Sequence, residues 1–197
     1  MNPPTDLPTH LPTHLPTEAQ AIAATQRWLE RAVIGLNLCP FAKTVHVKGQ
    51  VHYAVSQATD WNGVLADLES ELDALLACSP DKRDTTLLMV PGCLQDFIEF
   101  TGLVAQAERV LAQRGVQGQI QLASFHPRFQ FAGAAPDAIE NFTNRAPYPT
   151  LHLLREASID RAVAAFPDAS AIYDANIATL ERLGHDGWHA LMNRNPP

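Results

Sequence analysis

Thr85-Thr86-Leu87-Leu88-Met89-Val90 is a nearly continuous apolar run of strand length, stopped by Pro91-Gly92. A strand without polar alternation has to be buried on both faces, so it belongs in the middle of a sheet with other elements packed above and below it. That segment requires flanking strands and covering helices from the rest of the chain.

The flanks supply them. Thr17-Glu18-Ala19-Gln20 has a capping-box arrangement, a hydroxyl with a long polar side chain three residues on, so a helix begins there. Ile22, Leu29, Ala32, Val33 and Leu36 give it one apolar face. It ends near Asn37-Leu38-Cys39-Pro40, because the residue before a proline is pushed out of the helical region. Val45, Val47, Val51, Tyr53 and Val55 alternate with polar residues around Gly49 and predict one strand or two short ones, with His46 and His52 on the polar side. Asp60 caps a second helix carrying Val64, Leu65, Leu68, Leu72, Leu75 and Leu76. A third helix is expected over about residues 94–114, ended by Gly115, and a third main strand over 119–125. Residues 151–154 read as a short strand or the first turn of a helix. Ser158 then caps a short helix through Phe166 that Pro167 breaks, and a last helix covers roughly residues 169–183 before Gly184.

Strand, helix, strand, helix, strand predicts an α/β layered fold: a small central sheet of three to five strands packed with helices, with extra N- and C-terminal helices. A ferredoxin-like α+β sheet is the rival. Residues 1–17, MNPPTDLPTHLPTHLPT, repeat a Leu-Pro-Thr-His unit whose prolines forbid a regular helix, so a disordered tail is expected ahead of a single globular domain over 18–192.

The formal net charge of −7, from 21 acids against 14 Lys and Arg, argues against a nucleic-acid partner, which needs a basic stripe. No apolar run approaches the roughly 20 residues that span a bilayer, and no signal-peptide pattern opens the chain, so a membrane partner is not expected and a cytoplasmic location is. Three cysteines far apart, Cys39, Cys78 and Cys93, fit a reduced compartment better than a disulfide framework.

Candidate chemistry concentrates in residues 124–156. His126 stands where a buried strand meets a Pro-fixed loop, and His152 lies four residues before Glu156. Either imidazole could act as general base or metal ligand. Arg128, Arg145 and Arg155 suit a carboxylate or phosphate, with Asn144 and Tyr148 beside them. The bland alternatives are a histidine satisfying loop carbonyls, arginines paired with Asp137, Glu140 or Glu156, and asparagines that hold turns. Cys39 falls at a helix C-terminus, which raises a thiol's pKa, so Lys43 or a histidine brought in by the fold would have to activate it. His-Glu-x-x-His, Cys-x-x-Cys, Walker and Gly-x-Gly-x-x-Gly patterns are missing, and the sequence leaves any cofactor open.

The leading expectation is a small-molecule enzyme acting on an anionic substrate. Cys39 would be nucleophile or metal ligand, His126 and His152 its imidazole partners, and Arg145 or Arg155 the anchor. A metal-binding protein using His126, His152 and Cys39 or Glu156, and a non-catalytic module for an anionic metabolite, are the alternatives. The blocks TEAQAIAATQRWLERAVIGLNLCPFAK, ASFHPRFQFAG and NRAPYPTLHLLREASIDRA resemble those of the DUF1415 family, from about Thr17 to Leu191. The resemblance implies a small bacterial protein of unassigned function. It marks Leu38-Cys39-Pro40-Phe41, the His126 block and residues 144–156 as characteristic, and supplies no catalytic residue.

Overall fold

The computed structural model describes residues 15–165 and 169–194. Residues 1–14 of the tail expected over 1–17, and the break at Pro167, lie outside them. Four strands form one mixed sheet: β1 (Val51–Val55), β2 (Thr85–Met89), β3 (Ile120–Phe125) and β4 (Thr150–Arg155), in the order β1-β2-β4-β3. β2 is buried along its whole length and lies inside the sheet, as its composition requires. It pairs parallel with β1, while β4 runs antiparallel to both β2 and β3, so β1, β2 and β3 share one direction. The layered helix-and-sheet architecture stands, with an antiparallel strand inserted into an otherwise parallel set.

One face carries α3 (Trp61–Ala77) and α4 (Phe97–Gln113), the two crossovers. Val64, Leu68, Leu72 and Leu75 of α3 and Phe100, Leu103, Ala107 and Leu111 of α4 pack with Ala54, Leu88, Ile120, Leu151 and Leu153 of the strands. Each helix begins at an aspartate cap: Asp60 accepts from the Gly63 amide, and Asp96 from those of Ile98 and Glu99. α4 starts later than the apolar pattern predicts, because Leu94 has φ 62, a left-handed conformation that cannot open a helix.

The opposite face is covered by α1 (Glu18–Trp28), a π-helical continuation (Leu29–Ile34), a 3₁₀ turn (Ile139–Thr143) and α6 (Ala169–Asn193). The predicted capping box is present at Thr17 and Gln20. Trp28, Leu29, Val33, Phe142, Leu180 and Trp188 are among the buried residues of this second core. Gly184, at φ 63, interrupts α6 where the sequence places the helix end. Arg31 donates to the Met192 carbonyl at 3.0 Å, tying the first helix to the last.

Two local expectations change. Residues Ala42–Val47 form a short helix, α2, so β1 begins only at Val51. Two valines cannot specify a strand by themselves, and the chain leaving Pro40 closes a turn through Ala42 N–H to Cys39 O at 3.2 Å. α5 (Glu156–Ala165) follows β4 directly, and Ser158 lies inside it, its hydroxyl donating to Asp84 Oδ1 at 2.6 Å instead of capping. Among the described residues no helix is long and apolar enough to cross a membrane.

Candidate functional site

Side chains alternate along a strand, and the register puts Leu87 of β2 and Ala123 of β3 beside His152 of β4. These positions and Phe125 face the N-terminal helical layer. Between sheet and layer lies a cavity of about 160 Å³. Trp28, Leu29 and Val33 form its helical wall, Cys39, Phe41 and Val45 close one side, and Leu87, Phe125 and His152 form its floor. Asp84, Thr85, Arg155 and Ser158 border it where β2 begins and β4 ends.

The π-helical stretch shapes that wall. Its wider turn is closed by Gly35 N–H to Glu30 O at 2.9 Å, and Val33 O then accepts from Cys39 N–H at 3.3 Å, which folds the Cys39 turn back on the helix end. Asn37 takes φ 55 to make the reversal. Asn176 of α6 holds the turn by donating to Leu38 O at 2.9 Å.

His152 Nε2 lies 2.6 Å from Thr85 Oγ1, and that hydroxyl donates to Leu153 O at 2.7 Å. A hydroxyl has one proton to give, so Nε2–H is the donor to Thr85 and Nδ1 keeps its lone pair. Burial lowers the pKa of His152 to about 4, leaving a neutral ring. Asp84 is 7% exposed; Ser158 donates to its Oδ1, and none of the ion pairs among the described residues includes it.

Of the residues expected to share a site, Cys39, His152 and Arg155 line this cavity. The others lie elsewhere. His126 is wholly buried against Phe97 and Phe100 of α4, on the other side of the sheet. Its Nε2 donates to Leu94 O at 3.0 Å and its Nδ1 accepts from Arg128 N–H at 3.0 Å, so both nitrogens are occupied. Burial pushes its pKa down. Arg128 donates to Gln95 O, and Arg145 to Phe129 O and Pro136 O while stacking 4.2 Å from the Phe142 ring centre. Asn144 accepts from Thr143 through its side chain and from the His126 amide through its carbonyl. Tyr148 accepts from Thr150 through its carbonyl, and burial raises the pKa of its phenol. Arg155 donates to Leu75 O and Cys78 O at 2.6 Å and to Arg83 O at 3.3 Å. The arginines thus serve main-chain carbonyls where pairing with acids or an anion was expected.

Sequence reasoning missed Asp84, Thr85 and Ser158. The signal for Asp84 is its place directly ahead of the buried strand β2. Among the described residues no group of three or more His, Cys, Asp or Glu is placed to hold a metal ion.

A family model described as a protein of unknown function, DUF1415, matches residues 20–190. The chain belongs to the DUF1415 family. No curated protein and no solved structure matches it.

Every residue lining the cavity falls inside the DUF1415 match. The DUF1415 cavity has apolar walls that include Trp28, Phe41 and Phe125, and Cys39 and the neutral His152 border it. Such a set suits a ligand with a small apolar body and a few polar atoms. An imidazole whose pKa is held near 4 is a hydrogen-bonding group at neutral pH and only a weak base.

Proposed function

We propose that this chain binds a small molecule, its apolar body held between Trp28, Leu87 and Phe125 and a polar atom within reach of His152. The observation that carries this reading is the apolar cavity of about 160 Å³ into which Cys39 and His152 both open. A cavity of about 150 Å³ lined by Leu, Ile and Phe suffices to take benzene in an engineered protein, so one ring or a short branched chain fits. The test is titration of the full chain with benzyl alcohol, followed by NMR at the His152 ring and by the rate of iodoacetamide labelling at Cys39. Saturable shifts and protection are expected, and both should vanish in Ala42→Phe, which fills the space from a half-exposed position. Saturable shifts that survive Ala42→Phe, or none in the parent chain, would remove the cavity as the binding site.

A second reading keeps the catalytic thiol, with Cys39 as nucleophile in the same cavity as His152. It requires a covalent adduct on Cys39 when the chain meets a small thioester, detected by intact mass and lost in Cys39→Ser. No adduct means no nucleophile. A cytoplasmic, reducing setting accords with three unpaired thiols, and the net charge of −7 supports a partner other than nucleic acid.

A further inference from the structure

Resting on the reading of the cavity as a binding site, we infer that its ligand is a neutral molecule with a hydrogen-bond donor on a small apolar body, a phenol or an alcohol, and that His152 Nδ1 receives that donor. Most polar groups that border the cavity are matched within the protein. Thr85 Oγ1 accepts from His152 Nε2–H and donates to Leu153 O. Ser158 donates to Asp84 Oδ1 and accepts from Arg161 at 2.9 Å. Arg155 is engaged by the carbonyls of Leu75, Cys78 and Arg83. Among the described lining residues this leaves the thiol of Cys39, a weak hydrogen-bonding group, and Nδ1 of His152.

Nδ1 is accessible from that space. It has no hydrogen-bond partner among the described residues, yet the buried side-chain atoms left without one there are Thr25 Oγ1 and Tyr53 OH. Nδ1 therefore keeps accessible surface, on a ring that borders the cavity from a strand inside the sheet. The Thr85 contact holds the ring proton on Nε2, so Nδ1 can accept a hydrogen bond and cannot donate one.

The same geometry disfavours three other kinds of ligand. A charged one would lose its hydration among apolar walls and meet no free counter-charge, since Arg155 is held by carbonyls and Asp84 by Ser158, itself held by Arg161. A hydrocarbon would fill the space and leave the Nδ1 lone pair unmet. A molecule that accepts without donating would set its own lone pair against that of Nδ1. A neutral donor satisfies Nδ1 while its ring or chain lies against Trp28, Leu87 and Phe125.

The experiment uses the full chain at neutral pH and compares phenol, benzonitrile, toluene, benzoate and benzylamine by calorimetry and by nitrogen NMR of the His152 ring. Phenol is expected to bind roughly tenfold more tightly than benzonitrile, which has the same ring and accepts without donating, the scale of one hydrogen bond. The two charged probes should be weaker still, and toluene reports whether the cavity takes a ring at all. The Nδ1 resonance should move upfield, as an acceptor nitrogen does on taking a hydrogen bond, with phenol and not with benzonitrile. In His152→Leu the preference for phenol over benzonitrile should vanish. Phenol binding no more tightly than benzonitrile, a charged probe binding best, an Nδ1 resonance unmoved by saturating phenol, or a phenol preference that survives His152→Leu would overturn the inference, and toluene binding would then leave the cavity standing. Binding of none of the probes would overturn both. The ranking on the parent chain decides the matter even if the variant fails to fold.

Discussion

His152 Nε2 meets Thr85 Oγ1 at 2.6 Å across the β2–β4 ladder, and this contact sets the proton of the imidazole that opens on the cavity. Nε2–H is committed to the hydroxyl, so Nδ1 is the acceptor available to a ligand.

Burial of the same ring makes stability depend on pH. The folded pKa of His152 is about 4 against an unfolded value of 6.5, so as pH drops below 6.5 the unfolded chain takes up a proton that the folded chain refuses. Stability present above pH 6.5 is lost down to about pH 4, by about 3 kcal/mol for a shift of this size. His52 and His126, also lowered by burial, add to the slope. Urea midpoints measured between pH 4 and 7 should fall less steeply in His152→Gln than in the parent; equal slopes would mean that His152 protonates within the fold.

His126 is a structural clamp, because its ring joins the end of β3 to the left-handed Leu94 ahead of α4. Replacing it by alanine strands the Leu94 carbonyl and the Arg128 amide, at a cost of about 2–4 kcal/mol. Denaturant unfolding should show that loss, while benzyl alcohol binding at the cavity stays as it was. Parent-like stability together with lost probe binding would reverse this assignment.

Arg155 gathers three carbonyls that nothing else in its place could reach together. Lysine keeps the charge without the planar fork, so Arg155→Lys should cost about 1–2 kcal/mol and Arg155→Met more. Thermal unfolding of the two variants gives the order, and an undiminished Tm in Arg155→Met would contradict it.

Asn37 is exposed with φ 55, a conformation that a side chain opposes unless it is small and polar. Asn37→Gly is expected to match or exceed the parent in stability, and Asn37→Val to lose about 1–2 kcal/mol. Chemical denaturation of the pair checks this, and a stable valine variant would show that the Cys39 turn tolerates another path.

Local pattern carried much of the fold. β2 was legible because six consecutive residues leave no polar face, and the start of α1 because Thr17 and Gln20 satisfy each other's amides. Cys39, His152 and Arg155 line one cavity, while His126, Arg128 and Arg145 are engaged with main-chain groups: His126 with Leu94 O and the Arg128 amide, Arg128 with Gln95 O, and Arg145 with Phe129 O and Pro136 O.

By itself the sequence determined which segments become helix or strand wherever a short-range rule decides, as at the capping box, at Gly184 and along the apolar run of β2. Only the tertiary structure decided that β4 lies between β2 and β3, since strand pairing joins groups far apart in the chain and any backbone can supply its hydrogen bonds. It also decided which histidine opens on the cavity. Phe125 faces the cavity and His126, the next residue, turns to the opposite side, while His152 shares the face of Phe125. Alternation fixes that two neighbours point apart, and packing alone chooses which side holds the space.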